Sequence, residues 1–189
     1  VGEHARPLRA DAARNRARVL EVAYDTFAAE GLAVPIDEIA RRAGVGAGTV
    51  YRHFPTKEEL FCAVFSDRIR RIGEQARELL ESEGPGEALF AFLGVMVRTF
   101  PTDHGLADAL AGYGIDLATA APGAEAGFLA TLAELLTAAQ NAGTVRRDVG
   151  VMEVKALMLV CKSAQLYGDD VAERAAEVIV DGLRVTGAR

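Results

Sequence analysis

The sequence predicts an all-α protein. A small three-helix domain over residues 1–55 is followed by a larger helical domain over residues 56–189. Three observations predict it. Apolar residues recur at three- and four-residue spacing along most of the 189 positions. Glycine or proline separates these stretches, at Gly31, Pro35, Gly44, Gly84-Pro85-Gly86, Pro122-Gly123, Gly143 and Gly168. Two of the stretches are short and flank Gly44, with the spacing of a helix-turn-helix.

Val1–Ala10 has no apolar period and carries Arg6, Pro7 and Arg9, so it reads as a mobile arm or a disordered terminus. Asp11 is placed to cap a helix that runs to Glu30 and stops at Gly31. Val19, Leu20, Ala23, Phe27 and Ala28 form its apolar stripe, and Arg14, Arg16 and Arg18 lie mostly off it. Ile36–Ala43 is the next helix. Pro35 suits its first turn, and Asp37 and Glu38 favour its positive end. Arg41 and Arg42 stand at its other end, either to reach phosphate and base edges or only to oppose the helix dipole.

Within Ala40–Lys57, Ala40 supplies the small side chain that a steep helix crossing needs. Gly44 supplies the positive backbone dihedral of the turn, and Val50 points back at the first helix beside Ile39 and Val45. The helix that opens Gly46-Ala47-Gly48 then carries Thr49, Tyr51, Arg52 and His53 outward. Hydroxyl, phenol and imidazole groups hydrogen-bond phosphate, and arginine adds charge. An ordinary helical hairpin with a glycine turn has the same spacing; the outward residues favour double-stranded DNA as the partner. The small residues at 46–48 let backbone approach DNA but read few bases. Discrimination then falls on Arg42, Arg52, the Arg6/Arg9 arm and DNA shape. Thr56 and Glu59 form a capping box for a helix that runs to Ser82, buried through Leu60, Phe61, Val64, Phe65, Ile69, Ile72, Ala76 and Leu79. Lys57 in its first turn is placed to touch a phosphate.

The run from Arg14 to Phe61 resembles the DNA-binding domain of the tetracycline-repressor (TetR) family of bacterial regulators. Phe27, Gly31, Ile36, Ile39, Ala40, Ala43-Gly44-Val45, Gly48-Thr49, Tyr51, His53-Phe54, Lys57 and Leu60 carry the resemblance, about a quarter of the chain. It implies that Thr49, Tyr51, His53 and Lys57 contact DNA, and that the helical body dimerises and binds a small effector. Two positions depart from the family's habit. Gly46 stands where serine is common and Pro35 where threonine is common, which removes two hydroxyls.

Beyond Gly86 the expected helices are Glu87–Phe100, Asp103–Ala118, Ala124–Ala142, Val151–Tyr167 and Asp170–Val185. The first is apolar on most sides and so central. The middle of Val151–Tyr167, Ala156–Cys161, is apolar all round. That points to a homodimer through the last two helices, about 151–186, or to a core helix in a monomer. Phe65, Phe90, Phe92, Met96, Phe100, Tyr113 and Phe128, with the polar His104, Asp116 and Gln165, are either the lining of a pocket for a small apolar effector or core filling.

Net charge is −6, divided unevenly. Residues 1–57 hold nine basic and seven acidic side chains (+2), and residues 58–189 hold twelve and twenty (−8). A mildly basic head on an acidic body turns the head towards DNA. Cys62 and Cys161 lack CxxC spacing, which suits a reducing cytoplasm. No secretory signal is visible, and the longest apolar run, Ala88–Val97, is far short of the ~20 residues of a membrane span. Three histidines, His4, His53 and His104, share no metal-ligand spacing, and Gly44, Gly46 and Gly48 lack the rest of a phosphate loop. No catalytic, metal or cofactor site is expected. The reading is a repressor released from a palindromic operator, with a helical interaction or small-molecule-binding module as the alternative.

Overall fold

The computed structural model describes residues 5–99 and 122–185. Among them the helices are α1 (Ala5–Glu30), α2 (Ile36–Ala43), α3 (Ala47–His53), α4 (Lys57–Ser82), α5 (88–99), α6 (Ala124–Ala142), α7 (Val151–Ala164) and α8 (Asp169–Leu183). A 3-10 turn, Gln165–Tyr167, joins the last two. The helix expected over Asp103–Ala118 lies outside the described residues, as do Phe100, His104, Tyr113 and Asp116.

The chain packs as two units, and the division falls between Arg68 and Ile69, inside α4 rather than at 55/56. Packing sets the division there because the start of α4 is needed by the first core. Leu60, Phe61 and Val64 are buried with Val19, Leu20, Ala23 and Phe27 of α1, and the rings of Phe27 and Phe61 lie 4.4 Å apart. Leu32, Val34, Ile36, Ile39, Ala40, Ala43, Val50 and Phe54 complete that core.

The first helix begins earlier than expected. The segment 5–10 is helical, not a free arm, and Asp11 lies inside α1 and pairs with Arg14 instead of capping. Pro7 permits this, because the first amides of a helix have no partner to lose.

The second unit is built on α5. Ala88, Leu89, Phe90, Phe92, Leu93, Met96 and Val97 are all buried, so the helix is covered on most sides as its composition requires. Ile72 and Ala76 of α4, Leu132, Leu135, Leu136 and Ala139 of α6, Val154 and Met158 of α7, and Leu183 of α8 close round it. Gly143 ends α6 at φ 78°, its N–H donating to the carbonyls of Ala139 and Gln140. The turn that follows ties the unit together. Thr144 donates its hydroxyl to the Gly86 carbonyl (2.7 Å), and Val185 and Arg146 pair with Thr144 and Leu183 through backbone bonds of 3.0 Å. Arg184 forms a two-pronged ion pair with Glu87 (2.8 and 2.9 Å) over the face of Phe90.

Thr144→Val keeps the shape and leaves the half-buried Gly86 carbonyl without this donor. The expected loss is about 1–2 kcal/mol of unfolding free energy. Urea unfolding of wild type and variant measures it.

Candidate nucleic-acid interface

The reading helix α3 has seven residues and is held from behind. Val50 is fully buried, beside Ile39, Ala40 and Ala43 of α2, and Phe54, the residue that ends α3, is buried too. Gly44 adopts φ 67°, ψ 31°, and its N–H and that of Val45 return to the last carbonyls of α2. This left-handed turn is what reverses the chain between the two helices. Gly46 precedes α3 in extended backbone and contributes no capping side chain, as expected from the missing serine. Pro35 likewise gives α2 no side-chain cap.

With Val50 facing inward, the other side of α3 faces solvent. Tyr51, Arg52 and His53 are exposed, Gly48 is open, and Ala47 and Thr49 are half-exposed. Arg52 folds back along its own helix, donating from Nε to the Gly48 carbonyl (3.0 Å) and from Nη2 to the Thr49 hydroxyl (3.2 Å). Two of its five N–H donors are thus used locally, and the others remain for a ligand. Lys57 opens α4, where the Thr56 hydroxyl accepts the Glu59 N–H (3.2 Å). Partial burial pushes the Lys57 ammonium below its ordinary pKa, and neighbouring Glu58 works the other way. A phosphate at that spot gives the ammonium the anion that partial burial makes favourable.

Arg42, read from its position either as a DNA contact or as a charge opposing the helix dipole, is engaged by carboxylates of α1 and α2. Its Nε donates to Glu38 Oε1 (2.7 Å), Nη1 pairs with Glu30, and Nη2 donates to Glu30 Oε2 (3.1 Å). Arg41 takes the other side of Glu38 (2.7 and 2.8 Å). Together they strap the end of α2 to the end of α1. Hydrogen bonds from Arg41 and then Arg42 lower the Glu38 pKa to about 2. The partner Glu30 lies twelve residues before Arg42 and was not foreseen.

The suggested effector-pocket residues that are described belong to both units. Phe65 packs on the first core. Phe92 and Met96 are buried in the second, with Phe128 against it. Gln165 donates to the Val97 carbonyl (3.0 Å). It also borders a cleft of about 220 Å³ lined by Val97, Arg98, Asp169, Ala172 and Glu173. Among the described residues no three His, Cys, Asp or Glu side chains stand together to hold a metal ion. No described helix is long and apolar enough to cross a membrane.

Residues 19–64 match the family model for bacterial regulatory proteins of the tetR family. Residues 84–185, more than half of the chain, match that for the C-terminal domain of SbtR-like transcriptional regulators. The chain belongs to the TetR family. As a TetR-family member it is a DNA-binding transcriptional regulator. It is similar over 95% of its length, at 69% identity and a TM-score of 0.85, to the whole of a TetR transcription regulatory protein from Mycobacterium vanbaalenii. The TetR transcriptional regulator SCO0520 from Streptomyces coelicolor is 32% identical with a TM-score of 0.79, covering 91% of this chain and 99% of that one. The HTH-type regulator SrpR of Pseudomonas putida is 42% identical over 65 residues, 34% of this chain and 30% of that protein. The curated relatives are thus matched over less than half of their lengths. The TetR-type match in sequence begins at the buried stripe of α1 and ends in α4, the same residues that build the first core.

The strap at Glu38 makes acid tolerance measurable. Its lowered pKa means that ionised Glu38 favours the folded state above the ordinary carboxylate value, 4.5. That contribution is lost as pH falls from there through about 2. Glu38→Gln is expected to lower the melting temperature at neutral pH and to flatten its fall between those limits. Thermal melts across that range check it.

Proposed function

We propose that the chain is a homodimeric repressor that reads a roughly palindromic operator with two copies of α3. A small molecule bound in the second unit releases it. The observation that carries the DNA part is a sorting of cations within the first unit. Arg41 and Arg42 are matched by carboxylates, while Arg52, His53 and Lys57 at α3 and the start of α4 form no ion pair with a carboxylate among the described residues. Paired groups brace the fold; unpaired ones are available to phosphate. In this reading Thr49, Tyr51, His53 and Lys57 anchor the backbone. Arg52 and the backbone at Gly46, Ala47 and Gly48 meet the base edges. Few side chains then remain for direct readout, and operator shape carries part of the specificity.

The homodimer is supported by the outer side of α7 and α8. Leu159 is 51% exposed, Val160 55%, Tyr167 79% and Val178 68%. Apolar groups exposed along both helices call for a cover. A second copy supplies one, with two helices from each chain. The two α3 helices would then enter successive major grooves, about one helical turn or somewhat more apart. Such a regulator works where the chromosome is, in the bacterial cytoplasm.

For the effector, the buried Phe92 and Met96 already fill the second core, whereas the cleft at Gln165 is bordered by charged and polar groups. That favours a small molecule carrying polar groups over a wholly apolar one. The coupling is reciprocal, so DNA weakens effector binding by the factor by which effector weakens DNA binding.

A gel-shift titration against DNA selected in vitro tests the DNA part. Lys57→Ala should weaken binding to selected and random duplexes alike and flatten the salt slope by about one unit per subunit, about two for the bound dimer. Tyr51→Phe should weaken both without altering the slope. Unchanged affinity in both variants removes these contacts from the interface. Val160→Glu tests the dimer. Its side chain is exposed in the single chain, so the variant should keep its helicity, sediment as a monomer and lose operator affinity. A stable Val160→Glu dimer places the interface elsewhere.

A further inference from the structure

We propose that α1 adds two DNA-backbone contacts, Arg18 and Arg16, one at each end of the reading helix. The inference rests on reading α3 as the DNA-binding element.

The Arg18 guanidinium lies over Gly44, with Nη2 3.7 Å from where a Cβ would stand. Gly44 makes the turn that leads into α3. The Arg16 guanidinium lies over the ring of Phe54, 5.5 Å from its centroid, and Phe54 ends α3. One cation therefore stands beside each end of a helix roughly 10 Å long. The sequence explains the placement. Val19, Leu20, Ala23 and Phe27 fix one side of α1 in the core. Arg16 sits one turn before Val19 and Leu20 on that same side, so its guanidinium comes to lie over Phe54 while the side chain stays exposed. Arg18 leaves the stripe on the flank that meets the Gly44 turn.

Both side chains are exposed, and among the described residues neither has a carboxylate partner. The neighbouring Arg14 is paired with Asp11, and Arg42 with two carboxylates. An arginine already held by carboxylates must give them up before it takes a phosphate; Arg16 and Arg18 have nothing to give up. A helix seated in a major groove about 12 Å wide has a phosphate backbone on either side. Groups flanking its ends are placed to meet those walls. The tetR-family match begins at residue 19, so it assigns neither arginine.

The test uses the full chain with Arg18→Gln and Arg16→Gln. Binding to a labelled random-sequence duplex, and to a duplex selected in vitro with wild-type protein, is measured across a series of salt concentrations. Each variant should lose about 0.9 of the log–log salt slope per subunit, about 1.8 for a bound dimer, and bind both duplexes weaker by the same factor, with the wild-type melting temperature retained. A wild-type slope in both variants overturns the proposal. So does a slope unchanged while the melting temperature falls, which would make the arginines structural. Salt-dependent wild-type binding with unaltered variants removes this inference alone. Wild-type protein that binds neither duplex removes the DNA reading with it.

Discussion

The first unit depends on the burial of Val50. A seven-residue helix is far below the length at which a helix persists alone in water, about 12–15 residues. α3 exists because Val50 and Phe54 are taken into a core made by α1, α2 and the start of α4. That burial needs Ala40 to be small enough for the helices to approach, and it needs the left-handed backbone of Gly44 to turn the chain. Once Val50 is fixed inward, helical geometry carries Tyr51 and Arg52 outward, and His53 is exposed at the end of the helix. The exposed residues are set by the buried one.

Charge follows the same division between holding and offering. The carboxylates of Glu30 and Glu38 consume Arg42 and Arg41, and the product is a strap from α2 to α1. Without it, the support behind the reading helix would rest on apolar packing and the Gly44 turn. Arg16, Arg18, Arg52 and Lys57, which no carboxylate holds in an ion pair among the described residues, lie at or around α3. Local pairing thus decides the chemistry of an arginine more than its position in a helix-turn-helix does.

Much of this was legible in the sequence. The bounds of α2 and α6 follow from glycines that stop helices, Gly44 and Gly143, and both were read to the residue. Most of the inward set of α1 and α4 in the first core follows from spacing, although Ala28 and Phe65, expected in the buried stripes, are only half-buried. The start of α1 was not legible, since Pro7 signals a break and yet is harmless in a first turn. Nor was the place of Arg42: Glu30 is twelve positions away, and only the packing of α1 on α2 brings them together. Aromatic residues at helical spacing in the body were open to two readings, pocket or core. The period is the same in both, and only burial separates them; Phe92 is fully buried.

The second unit shows a different economy. Its interior is closed by α5, and its ends are tied by bonds distant in sequence, Thr144 to Gly86 and Arg184 to Glu87. These fix the turn after α6 and the end of α8 to the start of α5. Val154, Met158 and Cys161 of α7 are spent on the interior, yet the helix continues with Leu159 and Val160 facing away from it. A monomer gains nothing from apolar residues there and is exposed to aggregation by them. The ties fix α8 at its far end and the core holds α7 from behind, so this outer surface is formed within the single chain. A pre-formed surface loses little entropy on association, so modest contacts suffice. The same apolar excess that marks α7 in the sequence as covered on every side leaves Leu159 and Val160 exposed on the outside of the helix in the fold.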